Sequence, residues 1–426
     1  MMQKNFLILI LVFSLLTGCA PMVQANPTAT RPSSVTRVSP QLPQSPTSTT
    51  PVRALLISQL KMFDKNRGWA RDMSGYVYKT SSGVRAWQDV SPVGDYLGLK
   101  SSVFFLDENT AFITYASGTP ERAQFFTVSS MDGGQSWQSG RPLTFASPPG
   151  DFWPIQMFFL NAETGWLLGY VPAGMSHIDT LLYKTSNSGM TWEKLEDSYQ
   201  ALHEYQPQQL LGSSTASFGK DNSMIFVNAR HGYIEADETL DGGQTRQKPE
   251  VGSPSNALID QLSQPWFSSP LVGVFILRSY RKDQVVVPPG DIYQGLPQTQ
   301  KLYRTQDGGS SWRSTLLPER LGTVFFLDAR TGWFLGLSSD SVNADAKFYF
   351  SSDGGIVWKS VSDHCPLPLG SKLQFVSARI GFATNPFTDS QNPYYPFDQK
   401  ADSRPYLWMT GDGGLNWQEL VPVIRP

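Results

Sequence analysis

The stretch Met131-Asp132-Gly133-Gly134-Gln135-Ser136-Trp137 decides the fold of this chain, because its pattern returns at regular intervals. An Asp or a related residue is followed by a Gly-Gly pair, two variable residues and a Trp, and we call each copy an Asp turn. The Asp side chain caps its own backbone, and the glycines adopt the positive φ that a tight turn requires. The Trp folds back onto the adjoining strands. The stretch therefore predicts a hairpin between two β-strands.

Seven copies of the Asp turn occur along the chain. Their first residues are Ser82, Asp132, Asn187, Asp241, Asp307, Asp353 and Asp412. Six copies end in Trp, namely Trp87, Trp137, Trp192, Trp312, Trp358 and Trp417, whereas Arg246 ends the fourth. A mean spacing of about 55 residues, with four strand-like segments per unit, is typical of a propeller. We therefore predict an all-β fold, a seven-bladed β-propeller with one Asp turn in each blade.

A second motif recurs upstream of each Asp turn. An apolar strand ends at Asp, Asn or Ser, and five residues later an aromatic residue usually follows a Gly. The pairs are Asp64 and Trp69, Asp107 and Phe112, Asn161 and Trp166, Asn228 and Tyr233, Ser269 and Val274, Asp328 and Trp333, and Ser377 and Phe382. Two independent motifs thus give seven units. The fourth unit looks compressed between Ile234 and Thr239, and the first two strands of the fifth are weakly marked.

The composition is that of a globular protein with many short strands and turns. Of the 426 residues 16% are charged and 12% aromatic, and the chain contains 36 Gly and 31 Pro. The segment 54–57 and the segment 421–424 are both strand-like, so either end of the chain could close the propeller.

The first residues resemble a bacterial lipoprotein signal. Lys4 precedes an apolar run over 6–16, which is short for a membrane span, and the run ends in Leu16-Thr17-Gly18-Cys19. We predict a signal peptide over 1–18, a lipid on Cys19, a disordered Pro/Ser/Thr-rich tether over 19–52 and the propeller over 53–426. The predicted location is the cell envelope, anchored to a membrane on its extracytoplasmic side. The alternative is an ordinary signal peptide with a chance Cys.

Charge and residue spacing argue against several classes of function. The formal net charge is −2, or −3 without the predicted signal peptide, which gives no electrostatic basis for binding nucleic acid. His177, His203, His231 and His364 are scattered, and His364-Cys365 stands alone, so no metal site is predicted. No nucleotide-binding motif or nucleophile elbow occurs, and we predict no cofactor.

The Asp turns resemble the Asp-box, or bacterial neuraminidase repeat. Together with the second motif, the units over 53–426 are similar to the propeller family of photosystem II assembly and stability factors and its relatives in non-photosynthetic bacteria. The resemblance implies that each Asp turn joins the third and fourth strands of a blade, on the face opposite the usual binding face. It therefore favours a structural role for Asp132, Asp307, Asp353 and Asp412 over catalysis or calcium binding.

Function is expected where insertions interrupt the repeat on the other face, at 199–222, 248–264, 279–300 and 385–405. Two of these regions are rich in Arg and aromatic residues, which contribute strongly to protein interfaces. The candidate partner-binding residues are Arg278, Tyr280, Arg281, Tyr293, Tyr394, Tyr395, Phe397 and Arg404. The alternative is that these side chains only hold their own loops.

The sequence favours a lipid-anchored, non-catalytic scaffold that binds a protein partner or a membrane-protein complex. A role like that of a photosystem II assembly factor is one version of this hypothesis, although no arginine patch of that family maps onto matching positions. The alternative is a carbohydrate-active protein, either a glycosidase or a glycan-binding lectin, because Asp-boxes also occur in sialidases, family 74 glucanases and sortilin-type receptors. No spacing singles out the three arginines of a sialidase. A carboxylate pair could lie among Asp151, Asp179, Asp291 and Asp398.

Overall fold

The computed structural model describes residues 53–93, 101–117, 124–143, 153–174, 177–197, 224–234, 237–247, 258–263, 265–281, 297–337, 346–368, 371–384 and 407–425. The chain divides into two compact units, Met1–Thr50 and Pro51–Pro426. The described residues all belong to the second unit, and the predicted signal peptide, Cys19 and the tether lie outside them. Within these ranges no helix is long and apolar enough to cross a membrane.

The described strands form seven sheets, one for each predicted blade. After β1 (Arg53–Ala54), blade 1 contains β2 (Ile57–Met62), β3 (Gly68–Asp72), β4 (Val77–Thr80) and β5 (Ala86–Asp89). Blade 2 contains β6 (Ser101–Phe105), β7 (Ala111–Ser117), β8 (Gln124–Ser130) and β9 (Gln138–Ser139). Blade 3 contains β10 (Trp153–Phe159), β11 (Gly165–Gly174), β12 (His177–Thr185) and β13 (Glu193–Asp197). Within these blades each strand pairs antiparallel with the next one along the chain.

Blades 4 and 5 depart from this pattern. Blade 4 contains β14 (Met224–Phe226), β15 (Gly232–Ile234) and β16 (Asp237–Thr239), and within the described residues its fourth strand is reduced to a bridge between Glu238 and Gln247. The fourth unit, which looks compressed in the sequence, therefore keeps the antiparallel pair of β15 and β16. In blade 5, β17 (Leu258–Leu262) and β18 (Trp266–Phe267) both pair with β19 (Gly273–Arg281), followed by β20 (Thr299–Thr305) and β21 (Arg313–Leu316).

Blades 6 and 7 return to four strands. Blade 6 contains β22 (Leu321–Phe326), β23 (Gly332–Leu337), β24 (Ala346–Ser351) and β25 (Lys359–Cys365). Blade 7 contains β26 (Lys372–Phe375), β27 (Gly381–Thr384), β28 (Leu407–Thr410) and β29 (Gln418–Leu420), and β30 (Val423–Arg425) ends the chain's last described segment. The prediction of an all-β, seven-bladed propeller is confirmed. The insertion predicted over 248–264 is wrong in part, since the weakly patterned residues of β17 form a strand.

The second motif forms the turn between the first and second strands of each blade. In blade 6, Asp328 Oδ1 accepts hydrogen bonds from the backbone N–H groups of Arg330 and Thr331, both at 2.8 Å. The same side-chain capping occurs at Asp64, Asp107, Asn161, Asn228, Ser269 and Ser377. A short polar side chain that satisfies two backbone donors fixes a tight turn, which explains why only Asp, Asn or Ser occupies the position.

The Asp turns join the third and fourth strands and lie at the same end of the blades. Thr305 Oγ1 donates to Asp307 Oδ1 at 2.7 Å, and Ser311 bonds both carboxylate oxygens through its backbone N–H (2.9 Å) and hydroxyl (2.6 Å). Gly308 N–H then donates to Leu271 O in the first turn of the same blade, at 2.9 Å. We call the end that carries both kinds of turn the Asp-turn face, and the opposite end the insertion face.

Aromatic stacking between blades holds the propeller together. The second residue of each second strand, aromatic in every blade except blade 5, packs on the last residue of the first strand in the next blade. Ring centroids are 5.4 Å apart for Trp69 and Phe105, 3.5 Å for Phe112 and Phe159, 3.6 Å for Trp166 and Phe226, 5.9 Å for Tyr233 and Phe267, and 3.7 Å for Trp333 and Phe375. Val274 with Phe326, and Phe382 with Met62, belong to common apolar clusters at the two remaining boundaries. The core is therefore a ring of seven blade-to-blade contacts.

Both ends of the propeller segment close the ring at blade 1. Strand β30 pairs in parallel with β5, with Val423 opposite Ala86, and β1 pairs antiparallel with the other edge of β30. At the inner side, the amide of Gln374 in blade 7 bonds the backbone N–H and carbonyl of Met62 in blade 1, at 2.9 and 2.8 Å. The sequence left open which end closes the propeller, and the structure uses both.

Replacing Asp307 with Asn is expected to flatten the acid dependence of stability. Hydrogen bonds, first from the Ser311 hydroxyl, lower the pKa of Asp307 to about 2, so between about pH 4 and pH 2 the unfolded state binds a proton that the native state does not. Asp307 therefore stabilises the fold above about pH 4, and this contribution is lost as the pH falls towards 2. Urea unfolding from pH 2 to pH 7 should show a shallower slope in the variant.

Blade 3 supplies the matched control for this prediction. Asn187 occupies the equivalent position and keeps the same bonds, from Thr185 Oγ1 at 3.0 Å and from Thr191 N–H at 2.9 Å, while its own amide donates to Thr191 Oγ1 at 2.8 Å. Asn at position 307 should therefore fold normally, and Asn187→Asp should steepen the acid slope. Parallel curves for wild type and Asp307→Asn would contradict this account.

Candidate functional site

The carboxylates of the Asp-turn face are bound to their own turns. Hydrogen bonds lower the pKa of Asp132 to about 2, with the Ser136 hydroxyl as the largest cause. The pKa of Asp241 also falls to about 2, because hydrogen bonds from Thr245 and Thr239 outweigh the opposing effect of desolvation. These carboxylates stay ionised at neutral pH and cannot act as general acids there. The described residues also contain no group of three His, Cys, Asp or Glu side chains arranged to hold a metal ion.

The predicted partner-binding residues are only partly described. Arg278 lies in β19 and is half-buried, and its Nη2 donates to Gly322 O in blade 6 at 3.0 Å. This bond links blades 5 and 6. Tyr280 and Arg281 also belong to β19, so the strand extends into the insertion predicted over 279–300, and their side chains are not described. Tyr293, Tyr394, Tyr395, Phe397 and Arg404 lie outside the described residues, and their role stays a prediction.

The candidate carboxylates are also only partly described. Asp151, Asp291 and Asp398 lie outside the described residues, and Asp179 is described only through its backbone in β12. Of the histidines, two are described in full: His364 is exposed in β25, and His231 Nε2 lies 2.9 Å from Glu238 Oε1 within blade 4. Cys365 is buried and has a free thiol, and burial raises its pKa to about 11.

Two polar clusters towards the insertion face were not predicted. Arg71 in β3 is 6% exposed, and its Nη2 donates to Ser101 Oγ at 2.8 Å and Ser101 O at 3.1 Å in blade 2. Glu319, which is 5% exposed in the connection between blades 5 and 6, accepts from the Tyr349 hydroxyl and lies 3.2 Å from Lys347 Nζ. Burial and the bond to Glu319 raise the pKa of Tyr349. The first cluster links blades 1 and 2, and the second fixes the connection between blades 5 and 6.

The first strands form the inner wall of the propeller. Strand β10 contacts β6 and β14, and β22 contacts β26, so neighbouring first strands meet around the axis. The residue before the last one of the first strand contacts the next blade where its neighbours are recorded, as Phe104 does with Phe158, Trp266 with Phe325 and Gln374 with Met62. We call these seven residues the axial ring: Lys61, Phe104, Phe158, Ile225, Trp266, Phe325 and Gln374.

The axial ring is apolar except at blades 7 and 1. Phe104 and Phe158 meet edge to face at 5.6 Å, and Trp266 and Phe325 lie 5.8 Å apart. The five apolar members and Gln374 are half-buried, whereas Lys61 is exposed. Desolvation nonetheless lowers the pKa of Lys61.

Comparisons with known proteins match the chain to solved structures at low sequence identity. No family model and no curated protein sequence matches it. A structure of YCF48 bound to D1 peptide matches with a TM-score of 0.43 and 17% identity, covering 78% of this chain and 91% of that one. YCF48 from Cyanidioschyzon merolae matches with a TM-score of 0.44 and 16% identity, over 78% and 93% of the two chains.

A hydrolytic enzyme matches as well. The GH74 enzyme of Niastella koreensis has a TM-score of 0.39 and 11% identity, over 86% of this chain and 66% of that one. The chain's own seven sheets make it an all-β, seven-bladed propeller.

Proposed function

We propose that the protein is a non-catalytic scaffold, lipid-anchored at the cell envelope, that binds a protein partner through its insertion face. The observation that supports the proposal most is the asymmetry of the two faces. On the Asp-turn face, capping side chains and Asp turns satisfy one another and the adjoining backbone. The sequence insertions instead follow the opposite ends of the strands, where a rigid frame can present variable segments to a partner.

The polar clusters near the insertion face support a structural role better than a catalytic one. Arg71 and Arg278 each donate to the first strand of the next blade. Glu319 is almost inaccessible to solvent and is engaged by Tyr349 and Lys347. These groups hold neighbouring blades in register, and they leave recognition to Tyr280, Arg281, Tyr293, Tyr394, Tyr395, Phe397 and Arg404.

The partner in this proposal is a membrane protein or a complex under assembly at the surface to which Cys19 anchors the chain. A role in photosystem II assembly is one version, suggested by the resemblance of the repeat units. The alternative partner is a glycan. A carbohydrate-active protein would need two carboxylates about 5–10 Å apart, or an open aromatic groove, on the same face.

Capture of partners from detergent-solubilised membranes of the source cell tests the proposal. We expect wild-type protein to retain a protein partner, and the triple variant Arg281→Ala, Tyr394→Ala, Tyr395→Ala to lose it. The matched control is Arg330→Ala with Arg379→Ala, which removes two exposed arginines from the Asp-turn face. If the triple variant and wild type retain the same amount of the partner, the assignment of the binding face is wrong. Hydrolysis of a panel of glycosides by wild type would favour the enzyme alternative.

A further inference from the structure

We propose that a cleft between blades 5 and 6 binds a single aromatic ring that carries a hydrogen-bond donor. The cleft opens on the Asp-turn face, where residues of both kinds of turn border it. Its walls include Trp266, Val272, Val274, Arg304, Phe326 and Gly354. None of these residues is assigned to partner binding on the insertion face, so the inference goes beyond the proposed function.

The cleft occupies a place that a tryptophan fills in other blades. Val274 is the second residue of β19 and lies opposite Arg304 in β20. In blade 3 the same register places Trp166 opposite Lys184, and Trp166 is completely buried at the boundary with blade 4. Valine has no ring, so the corresponding space between blades 5 and 6 is filled only in part. The cleft is the part that remains.

Blade 3 shows which contacts a ring makes in this place. Trp166 stacks on Phe226 of blade 4, with ring centroids 3.6 Å apart. Its Nε1 donates to Gly242 O at 2.9 Å, and Lys184 Nζ lies 5.2 Å from the ring centroid. The place thus provides an apolar surface, a hydrogen-bond acceptor and a cation.

The cleft contains the counterparts of all three groups. Phe326 ends β22 as Phe226 ends β14, and Gly354, like Gly242, is the first glycine of an Asp turn. Arg304 Nη1 lies 3.3 Å from the point that a Cβ on Gly354 would occupy, and for Lys184 Nζ and Gly242 the distance is 3.0 Å. The cation therefore has the same position at both boundaries.

Two polar groups of the cleft have no partner within the described residues. The Nε of Arg304 is buried there without a hydrogen-bond acceptor, and the carbonyl oxygen of Gly354 accepts no hydrogen bond. Buried polar groups are ordinarily paired, and an unpaired carbonyl at this point is the acceptor that the indole N–H reaches in blade 3. A ligand with a donor would satisfy it.

The residues around Arg304 favour an aromatic ligand over an anion. Asp328 also lines the cleft, and the charge of Asp353 acts on the pKa of Arg304 against the lowering effect of burial, so a second anion would be repelled. A guanidinium instead stacks well on an aromatic face. Because the side chain of Val274 already fills the base of the space, one ring fits better than an indole. Phenol, a single ring with an O–H donor, has the required chemistry.

The test titrates phenol and fluorobenzene into the protein and follows the arginine Nε–H signals by NMR. The signal of Arg304 is assigned by its loss in Arg304→Met. We expect phenol to shift this signal saturably and to leave that of Arg379, an exposed arginine of blade 7, unchanged. Fluorobenzene should bind about fivefold more weakly, because it lacks the donor. N-acetyltyrosinamide distinguishes the source of the ring: its binding extends the site to tyrosine side chains, whereas binding of phenol alone restricts the site to free small molecules.

Variants separate the cleft from non-specific binding of aromatic compounds. Val274→Phe places a ring in the cleft, as Phe112 does in blade 2, and should abolish the response to phenol. Leu415→Phe adds a ring at a position that is 58% exposed on the same face, and should respond like wild type. Arg304→Met, which does not depend on the folding of Val274→Phe, should weaken phenol binding about threefold in ligand-observed NMR.

Three results would overturn the inference: no saturable shift of the Arg304 signal, equal affinity for phenol and fluorobenzene, or an unchanged response in Val274→Phe. Because capture through the insertion face does not use these residues, the two proposals fail independently.

Discussion

Replacing Trp333 with Ala is expected to lower the free energy of unfolding by about 3–5 kcal/mol, the range for large buried aromatic residues. Trp333 has no exposed surface and stacks on Phe375 of the next blade at 3.7 Å with an interplanar angle of 6°. Its Nε1 also donates to Gly413 O in blade 7 at 3.0 Å. The substitution therefore leaves a cavity and an unpaired carbonyl at one boundary between blades. Guanidinium unfolding, followed by tryptophan fluorescence and circular dichroism, measures the change.

A pair of Trp→Phe substitutions provides the control. Trp333→Phe keeps an aromatic ring but loses the bond to Gly413, and should cost about 1–3 kcal/mol. Trp417 belongs to an Asp turn, is only half-buried, and its Nε1 has no acceptor within the described residues, so Trp417→Phe should change stability by less than about 0.5 kcal/mol. Equal losses of stability for Trp333→Phe and Trp417→Phe would show that the stacking of Trp333 on Phe375 does not hold the blades together.

Removal of residues 423–426 is expected to destabilise the propeller by about 2–4 kcal/mol, because it opens the ring. The deletion removes the parallel pairing of β30 with β5, the antiparallel pairing with β1, and the bond from Val423 N–H to Arg85 O at 3.0 Å. It also uncovers the apolar cluster between blades 7 and 1, against which Ile424 packs. Thermal unfolding of the truncated and complete chains measures the loss.

Two point variants separate ring closure from a general effect of shortening the chain. Ile424→Ser removes the apolar contact and should reproduce part of the loss, whereas Arg425→Ser changes an exposed residue of the same strand and should be neutral within about 0.5 kcal/mol. An intact melting temperature in the truncated chain would mean that the inner contact between Gln374 and Met62 suffices for closure.

Much of the fold was predictable because the repeated motifs act through hydrogen bonds and backbone conformations within a few residues. Each Asp turn needs a capping carboxylate or amide, and the glycines after it adopt φ values of 80° at Gly133 and 86° at Gly134, so a few residues fix each hairpin. The last residue of each first strand recurs two positions before the Asp, Asn or Ser of the second motif. The blade count, the strand pairs and the face that carries the Asp turns therefore followed from spacing and from the resemblance.

The remaining features depend on contacts between distant parts of the chain. Strand β17 lacks a strong apolar alternation and forms because β19 offers it a partner from Leu258 to Leu262. Closure at blade 1 joins residues about 370 positions apart, and no local pattern chooses between the two ends.

The Asp-turn face and the insertion face are expected to have different roles. Asp132, Asp307, Asp353 and Asp412 belong to turns that stabilise the blades, and three of the four have short side-chain bonds to the residue four positions later. In blade 6, Val357 replaces that polar residue and contributes only its backbone N–H. The Asp-turn face is thus built from local bonds, whereas recognition is assigned to the insertion face.

Site-specific photo-crosslinking tests the central claim, that partners bind the insertion face, most directly. Benzoylphenylalanine is placed at position 281, where β19 ends on the insertion face, or at position 135, an exposed position of an Asp turn. After irradiation with detergent-solubilised membranes, we expect a protein adduct from position 281 and none from position 135. An adduct from position 135 without one from position 281 would contradict the account.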